Sequence, residues 1–178
     1  VTSQAVFAEV AAHIAALDDV SFWGITPVVV LVDVQDPGNV GTILRAAEAA
    51  GVSTIVAVGD TVDCWNPKVV RASAGALGGL TLVEAREPQP ALDTLRANGF
   101  VTVSTVVRGG QAPDVVDLAG PIALVVGSEA HGLDPDVAHA CDLHVTIPMT
   151  GASESLNAAV ATSVLLFEAA RQRRWDQE

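Results

Sequence analysis

Five short aliphatic runs dominate the sequence: 28–33 (VVVLVD), 54–58 (TIVAV), 101–105 (VTVST), 122–126 (IALVV) and 143–147 (LHVTI). Runs with so little polar alternation suit strands covered on both faces, as in a parallel sheet flanked by helices. Between them, 39–50, 90–98 and 135–140 carry helical spacing, and 156–174 reads as one long helix. Gly51 and Gly99 stand where a helix C-terminus favours positive φ. The alternation predicts an α/β fold, a mostly parallel sheet with helices on both faces. Residues 2–18 also show helical apolar spacing and predict a docked helix or the end of a longer upstream unit. We therefore expect an N-terminal helix and linker at 1–27 and one domain at 28–178, in keeping with a length of 178 residues.

Composition narrows the classes. Half the residues are apolar, which excludes an acidic disordered chain. No apolar stretch reaches the roughly 18 residues of a membrane-spanning helix. The start shows no basic stretch followed by an apolar run, so no signal peptide is expected. Cys64 and Cys141 make no disulfide framework, and a reducing cytoplasm is the expected compartment. Nine basic residues against 21 acidic ones leave a formal charge of −12, which taken alone argues against a nucleic-acid partner.

Three segments carry chemistry. In 32–51 (VDVQDPGNVGTILRAAEAAG) a strand runs through a turn into a helix, a junction whose free N–H groups favour anions. Arg45 lies six residues beyond Asn39, close enough for both to border one pocket. The glycines there are spaced G-x-x-G, which is not a dinucleotide fingerprint. In 124–133 (LVVGSEAHGL) another strand enters a glycine-bracketed turn bearing Ser128, Glu129 and His131. Turns at the carboxyl ends of parallel strands are where open α/β sheets bind ligands. In 145–171 a strand gives way to a loop with Pro148, Met149 and Gly151, and Ser153 or Ser155 is the expected N-cap of the last helix. His131, His139, Cys141 and His144 match no closed zinc pattern, so no metal is expected. No G-x-S-x-G elbow supports a hydrolase.

In this order the segments resemble the SpoU/TrmH branch of the SPOUT superfamily of RNA methyltransferases. Asn39, Gly41 and Arg45 match its first motif; Gly127, Glu129 and Gly132 the second; Ile147, Pro148, Met149, Ser155, Leu156 and Asn157 the third. Residues 66–77 (NPKVVRASAGAL) and the helix ending in FEAAR are also family-like, whereas GGLTLVEA (78–85) departs from the family pattern. The resemblance implies a deep C-terminal trefoil knot, a homodimer, and bent S-adenosyl-methionine held by Thr105, Gly127, Ile147, Met149 and Leu156. It implies methyl transfer to a ribose 2′-hydroxyl of structured RNA, ribosomal RNA before transfer RNA. Arg45 would activate the hydroxyl, with Asn39, Glu129, Ser155 and Asn157 as the remaining catalytic residues and Lys68 and Arg71 on RNA phosphates. A guanidinium, with a pKa above about 12, is a poor base unless depressed, so Arg45 either has a lowered pKa or acts by holding phosphate and stabilising alkoxide. Many relatives carry an RNA-binding domain ahead of the first motif, and the −12 charge leads us to expect weak RNA binding by these 178 residues alone. A non-catalytic dimeric RNA-binding module of the same fold is the alternative.

Overall fold

The computed structural model describes residues 9, 11, 13–20 and 26–175. Seven strands form one sheet: β1 (Ala15–Ala16), β2 (Val28–Val32), β3 (Thr54–Val58), β4 (Thr81–Ala85), β5 (Val101–Thr105), β6 (Ile122–Val126) and β7 (Leu143–Val145). Their order is β1-β4-β3-β2-β6-β5-β7, and every pairing is parallel. The expected strands are all present, with β7 ending before Thr146. A parallel sheet sends all its strand C-termini to one edge, and that edge carries the site.

The central strands β2 and β6 are buried at every residue, which is why their sequences show no polar alternation. Successive β2 residues face opposite sides. Val29 and Leu31 pack in one core with α1 (Pro37–Ala49), Val69 of α2 (Pro67–Ala72) and α5 (Ala158–Trp175). Val28, Val30 and Val32 enter the other core with Leu92 and Leu95 of α3 (Pro88–Ala97) and Val137 of α4 (Pro135–His139). The two-faced arrangement is the one expected.

The stretch expected as a helix at 2–18 lies partly outside the described residues. Where it is described it is not α-helical: Ala15–Ala16 form β1 and Leu17–Asp19 a 3-10 turn. Pairing of Ala15 with Val83 and Ala16 with Glu84 satisfies backbone groups that β4 would leave open, and this outweighs the local helical preference. β4 and α2 were not anticipated. The GGLTLVEA departure contains β4, on the half of the sheet away from β5 and β6.

Helix α1 begins at Asp36, whose Oδ1 accepts from the Asn39 amide at 2.7 Å, with Pro37 in the first turn. It crosses α2 so closely that a Cβ on Gly41 would lie 2.3 Å from the Ala72 Cβ. Its C-terminal carbonyl at Ala50 accepts from Arg173 Nη2 of α5 at 3.1 Å. One face of α5 buries Ala159, Leu165, Leu166 and Ala169, while Val160, Val164 and Phe167 stand 49%, 43% and 50% exposed on another.

Near the end of α5, Glu168 accepts from Arg171 and Gln172, which pull its carboxyl from the ordinary 4.5 to about 2. A depressed carboxyl stabilises the fold above its unfolded pKa and stops doing so as pH falls through the folded one. The melting temperature is therefore expected to drop between about pH 4.5 and 2, and more steeply than in Glu168→Gln. Thermal melts across that window check this; parallel profiles would contradict it.

Candidate functional site

At the carboxyl edge of the sheet, the ends of β5, β6 and β7 and the start of α5 enclose a cleft of about 840 Å³, open mouth included. Thr105 ends β5 and its hydroxyl donates to the Val125 carbonyl at 3.1 Å, tying two strand ends together. Gly127 follows β6, and a Cβ there would lie 2.3 Å from the carbonyl atoms of Gly132. The intervening turn closes on itself through Ser128 N–H to Gly132 O at 3.1 Å and the reciprocal bond at 2.9 Å. Ile147, Met149, Ser155 and Leu156 line the same cleft from the segment after β7, and Ala158, Ala161 and Leu165 from α5.

Val106 and Val107 complete one wall. Their segment lies against the end of β7: Gln111 N–H donates to His144 O and Thr146 N–H to Gln111 O, both at 2.9 Å. The Thr146 hydroxyl accepts from Gly110 N–H at 2.9 Å and donates to Val106 O at 3.0 Å.

A hydrogen-bonded chain joins the three sequence segments. Asn157 Nδ2 donates to Asn39 Oδ1 at 2.9 Å, and Asn39 Nδ2 donates to Glu129 Oε1 at 2.7 Å. Asn157 Oδ1 in turn accepts from the amides of Ala159 and Val160, so this residue caps α5. The caps expected at Ser153 and Ser155 are corrected accordingly: α5 starts at Ala158, and both serines lie in the loop before it. A serine there is too early to reach the helix's first free amides, whereas Asn157 adjoins them.

The cleft lining includes two carboxylates, Glu129 and Glu154, and no Lys or Arg. Glu154 was not anticipated; its position between Ser153 and Ser155 in the third segment was the available signal. Arg45 is exposed on α1, outside the lining, with no side-chain hydrogen bond or ion pair to a described residue. Lys68 and Arg71 are likewise exposed and unpaired on α2, the helix packed on α1 at Gly41. Thus the structure brings Asn39, Glu129 and Asn157 together and sets Ser155 beside them in the cleft, whose lining does not include Arg45. Among the described residues no group of three His, Cys, Asp or Glu is placed to hold a metal. His144 Nδ1 pairs with Ser104 Oγ at 2.7 Å, and burial pushes the Cys141 thiol up to about 11.

Residues 26–167 match the family model described as the SpoU rRNA Methylase family. The chain belongs to that family. Among SpoU relatives, it is 36% identical over 140 residues to the 23S rRNA (guanosine(2553)-2′-O)-methyltransferase RlmP of Bacillus subtilis, covering 78% of this chain and 56% of the relative. A solved AdoMet-bound rRNA methyltransferase from Sinorhizobium meliloti superimposes with a TM-score of 0.83 at 34% identity, covering 89% of this chain and 61% of that one. The SpoU methyltransferase AviRb of Streptomyces viridochromogenes, in complex with AdoMet, gives 0.82 at 35% identity, with 89% and 65% covered. The chain spans 60% and 40% of the length of two SpoU-type relatives from Synechocystis, so it corresponds to part of such proteins.

Proposed function

We propose that this chain is the catalytic domain of an S-adenosyl-methionine-dependent RNA ribose 2′-O-methyltransferase, with ribosomal RNA as the favoured substrate. The observation that carries it is the Asn157–Asn39–Glu129 chain, which ties residues up to 118 positions apart to the rim of one cleft. The cleft's chemistry fits the cofactor: two carboxylates and no cation suit a sulfonium, and Val126, Ile147, Leu156 and Leu165 offer apolar contact. When bound, S-adenosyl-methionine supplies an electrophilic methyl group.

The chain's own residues do the rest. Thr105, Gly127, Ile147, Met149 and Leu156 hold the cofactor. The amides opening α5 polarise Asn157, which fixes Asn39, which fixes the Glu129 carboxylate; with Ser155 these groups orient the ribose hydroxyl. Holding an incoming hydroxyl in line with the methyl group is a large part of such catalysis. Arg45 stabilises the charge developing on the ribose oxygen and holds an adjacent phosphate.

We further assign a trefoil knot and a homodimer. Residues 106–111 are hydrogen-bonded to the end of β7, and Val106 and Val107 share one cleft with Ile147, Met149 and Leu156, a proximity that a threaded path requires. The exposed Val160, Val164 and Phe167 stripe is an apolar face that a second copy would cover. Since the lining of one cleft contains no cation, the dimer also offers a route for Arg45 to enter a site. We place the protein in the cytoplasm with its RNA.

Lys68 and Arg71 are assigned to RNA phosphates. Alanine at either is expected to weaken RNA binding for all sequences and to reduce the slope of log affinity against log salt by about 1. Filter binding over a salt series checks this; an unchanged slope counts against the assignment. The function itself is tested by transfer of labelled methyl from S-adenosyl-methionine to ribosomal and transfer RNA, followed by mapping of the modified nucleotide. Failure of the folded chain to bind S-adenosyl-methionine would refute it.

A further inference from the structure

The segment from 106 to 121, between β5 and β6, forms a cleft wall at Val106 and Val107 and then runs away from the cleft toward the end of α5. Between 106 and 118 its hydrogen bonds to other elements fall at two places. The first is the end of β7, through Gly110, Gln111 and Thr146. The second is a single side chain, Gln172. Its Oε1 accepts from Leu118 N–H at 2.7 Å, and its Nε2 lies 3.2 Å from Pro113 O and 3.1 Å from Val116 O. Nε2 also donates to Glu168 Oε1 at 2.8 Å, and Arg171 grips the same carboxylate through Nε and Nη2. Val116 and Leu118 are buried, so the backbone groups beside them have little water to turn to.

We propose that Gln172 is a positioning residue for the cofactor cleft, fixing the 113–118 stretch so that the Val106–Val107 wall stays closed on the bound molecule. The proposal rests on the cofactor assignment made above. Only Ala112 separates Gln111, fixed to β7, from Pro113, fixed to Gln172, so release of the second anchor is felt directly at the first. Gln172 does not line the cleft and touches no substrate. An amide suits the task because it offers an acceptor and two N–H donors at once. Glutamate would keep the acceptor for Leu118, lose the donors to both carbonyls and face Glu168 with like charge.

The test compares wild type with Gln172→Met, which keeps the length without the polar atoms, and Gln172→Glu. Hydrogen exchange without cofactor is expected to quicken over residues 112–119 in both variants. Calorimetry and stopped-flow are expected to show S-adenosyl-methionine held about ten-fold more weakly, through faster dissociation, the scale set by losing two or three modest hydrogen bonds. Turnover at saturating cofactor is expected to stay within about two-fold, since the reacting groups are untouched. In Gln172→Glu, affinity is expected to recover as pH falls and the new carboxyl regains a donor, a dependence that loss of general stability would not produce. Faster exchange with unchanged cofactor affinity would overturn the proposal, and so would unchanged exchange. Absence of cofactor binding by wild type would remove the cofactor assignment and the proposal together, whereas wild-type binding with unaltered variants removes the proposal alone.

Discussion

Gly127→Ala is expected to weaken affinity for S-adenosyl-methionine by roughly 10- to 100-fold. The added Cβ would sit 2.3 Å from the Gly132 carbonyl carbon and oxygen and 2.3 Å from the Leu133 nitrogen, all backbone atoms that no rotamer change can move. One side of the clash must shift. The β6 end is held between β2 and β5 and is buried throughout, so the 128–132 turn gives way. That turn carries Glu129, and its displacement pulls the carboxylate from Asn39, now 2.7 Å away. Overpacking of this kind costs roughly 1–3 kcal/mol, and each 1.4 kcal/mol withdrawn from binding is a factor of ten. Calorimetry on a variant shown to be folded by circular dichroism measures the effect. Affinity within a few-fold of wild type would mean that the cofactor does not depend on the backbone at this turn.

The aliphatic runs were readable because both sheet faces are covered: β2 and β6 bury every residue and show unbroken Val, Ile and Leu. β4 was harder to see. In Thr81–Ala85 the residues at 81 and 84 are exposed and only Leu82 and Val83 are fully buried, and two glycines precede it. β1 is two residues of alanine, a residue that favours helix, and only its pairing with β4 makes it a strand. Neither element has a local signal as strong as the long-range contact that forms it.

The site divides in the same manner. Local chemistry placed the strand–turn–helix junction before α1, which starts at Pro37 rather than at the expected 39, and the glycine-bracketed turn, because each depends on neighbours in sequence. The bond between Asn39 and Asn157 spans 118 positions, and only the resemblance to a family grouped the two beforehand. In the sequence Gln172 and Arg173 are legible only as parts of the last helix. Their partners, the 113–118 backbone and the Ala50 carbonyl, are distant in sequence and carry no side-chain pattern. Arg171 is engaged with Glu168 and Arg173 with the Ala50 carbonyl, so these two charges near the end of α5 serve the fold.

Arg45→Ala is expected to lower methyl transfer by roughly 10² to 10³-fold, the usual scale for removing one group that stabilises a developing oxyanion. Cofactor affinity should remain within about two-fold, because Arg45 does not line the cleft of its own chain. Arg45→Lys is expected to restore only part of the rate, since a lysine lacks the planar fork that grips a phosphate. Near-normal turnover by the alanine variant, with cofactor bound, would remove Arg45 from the reaction. Together, Gly127→Ala and Arg45→Ala also decide which cleft Arg45 serves. Gly127→Ala keeps its Arg45 but leaves its cleft largely empty at cofactor concentrations that fill the wild-type site, and Arg45→Ala keeps its cleft but has no cation to offer. If the arginine acts on the cleft of a second copy, mixing the two inactive chains forms dimers with one complete site, and activity returns. If it acts on its own cleft through bound RNA, no mixture of the two is active.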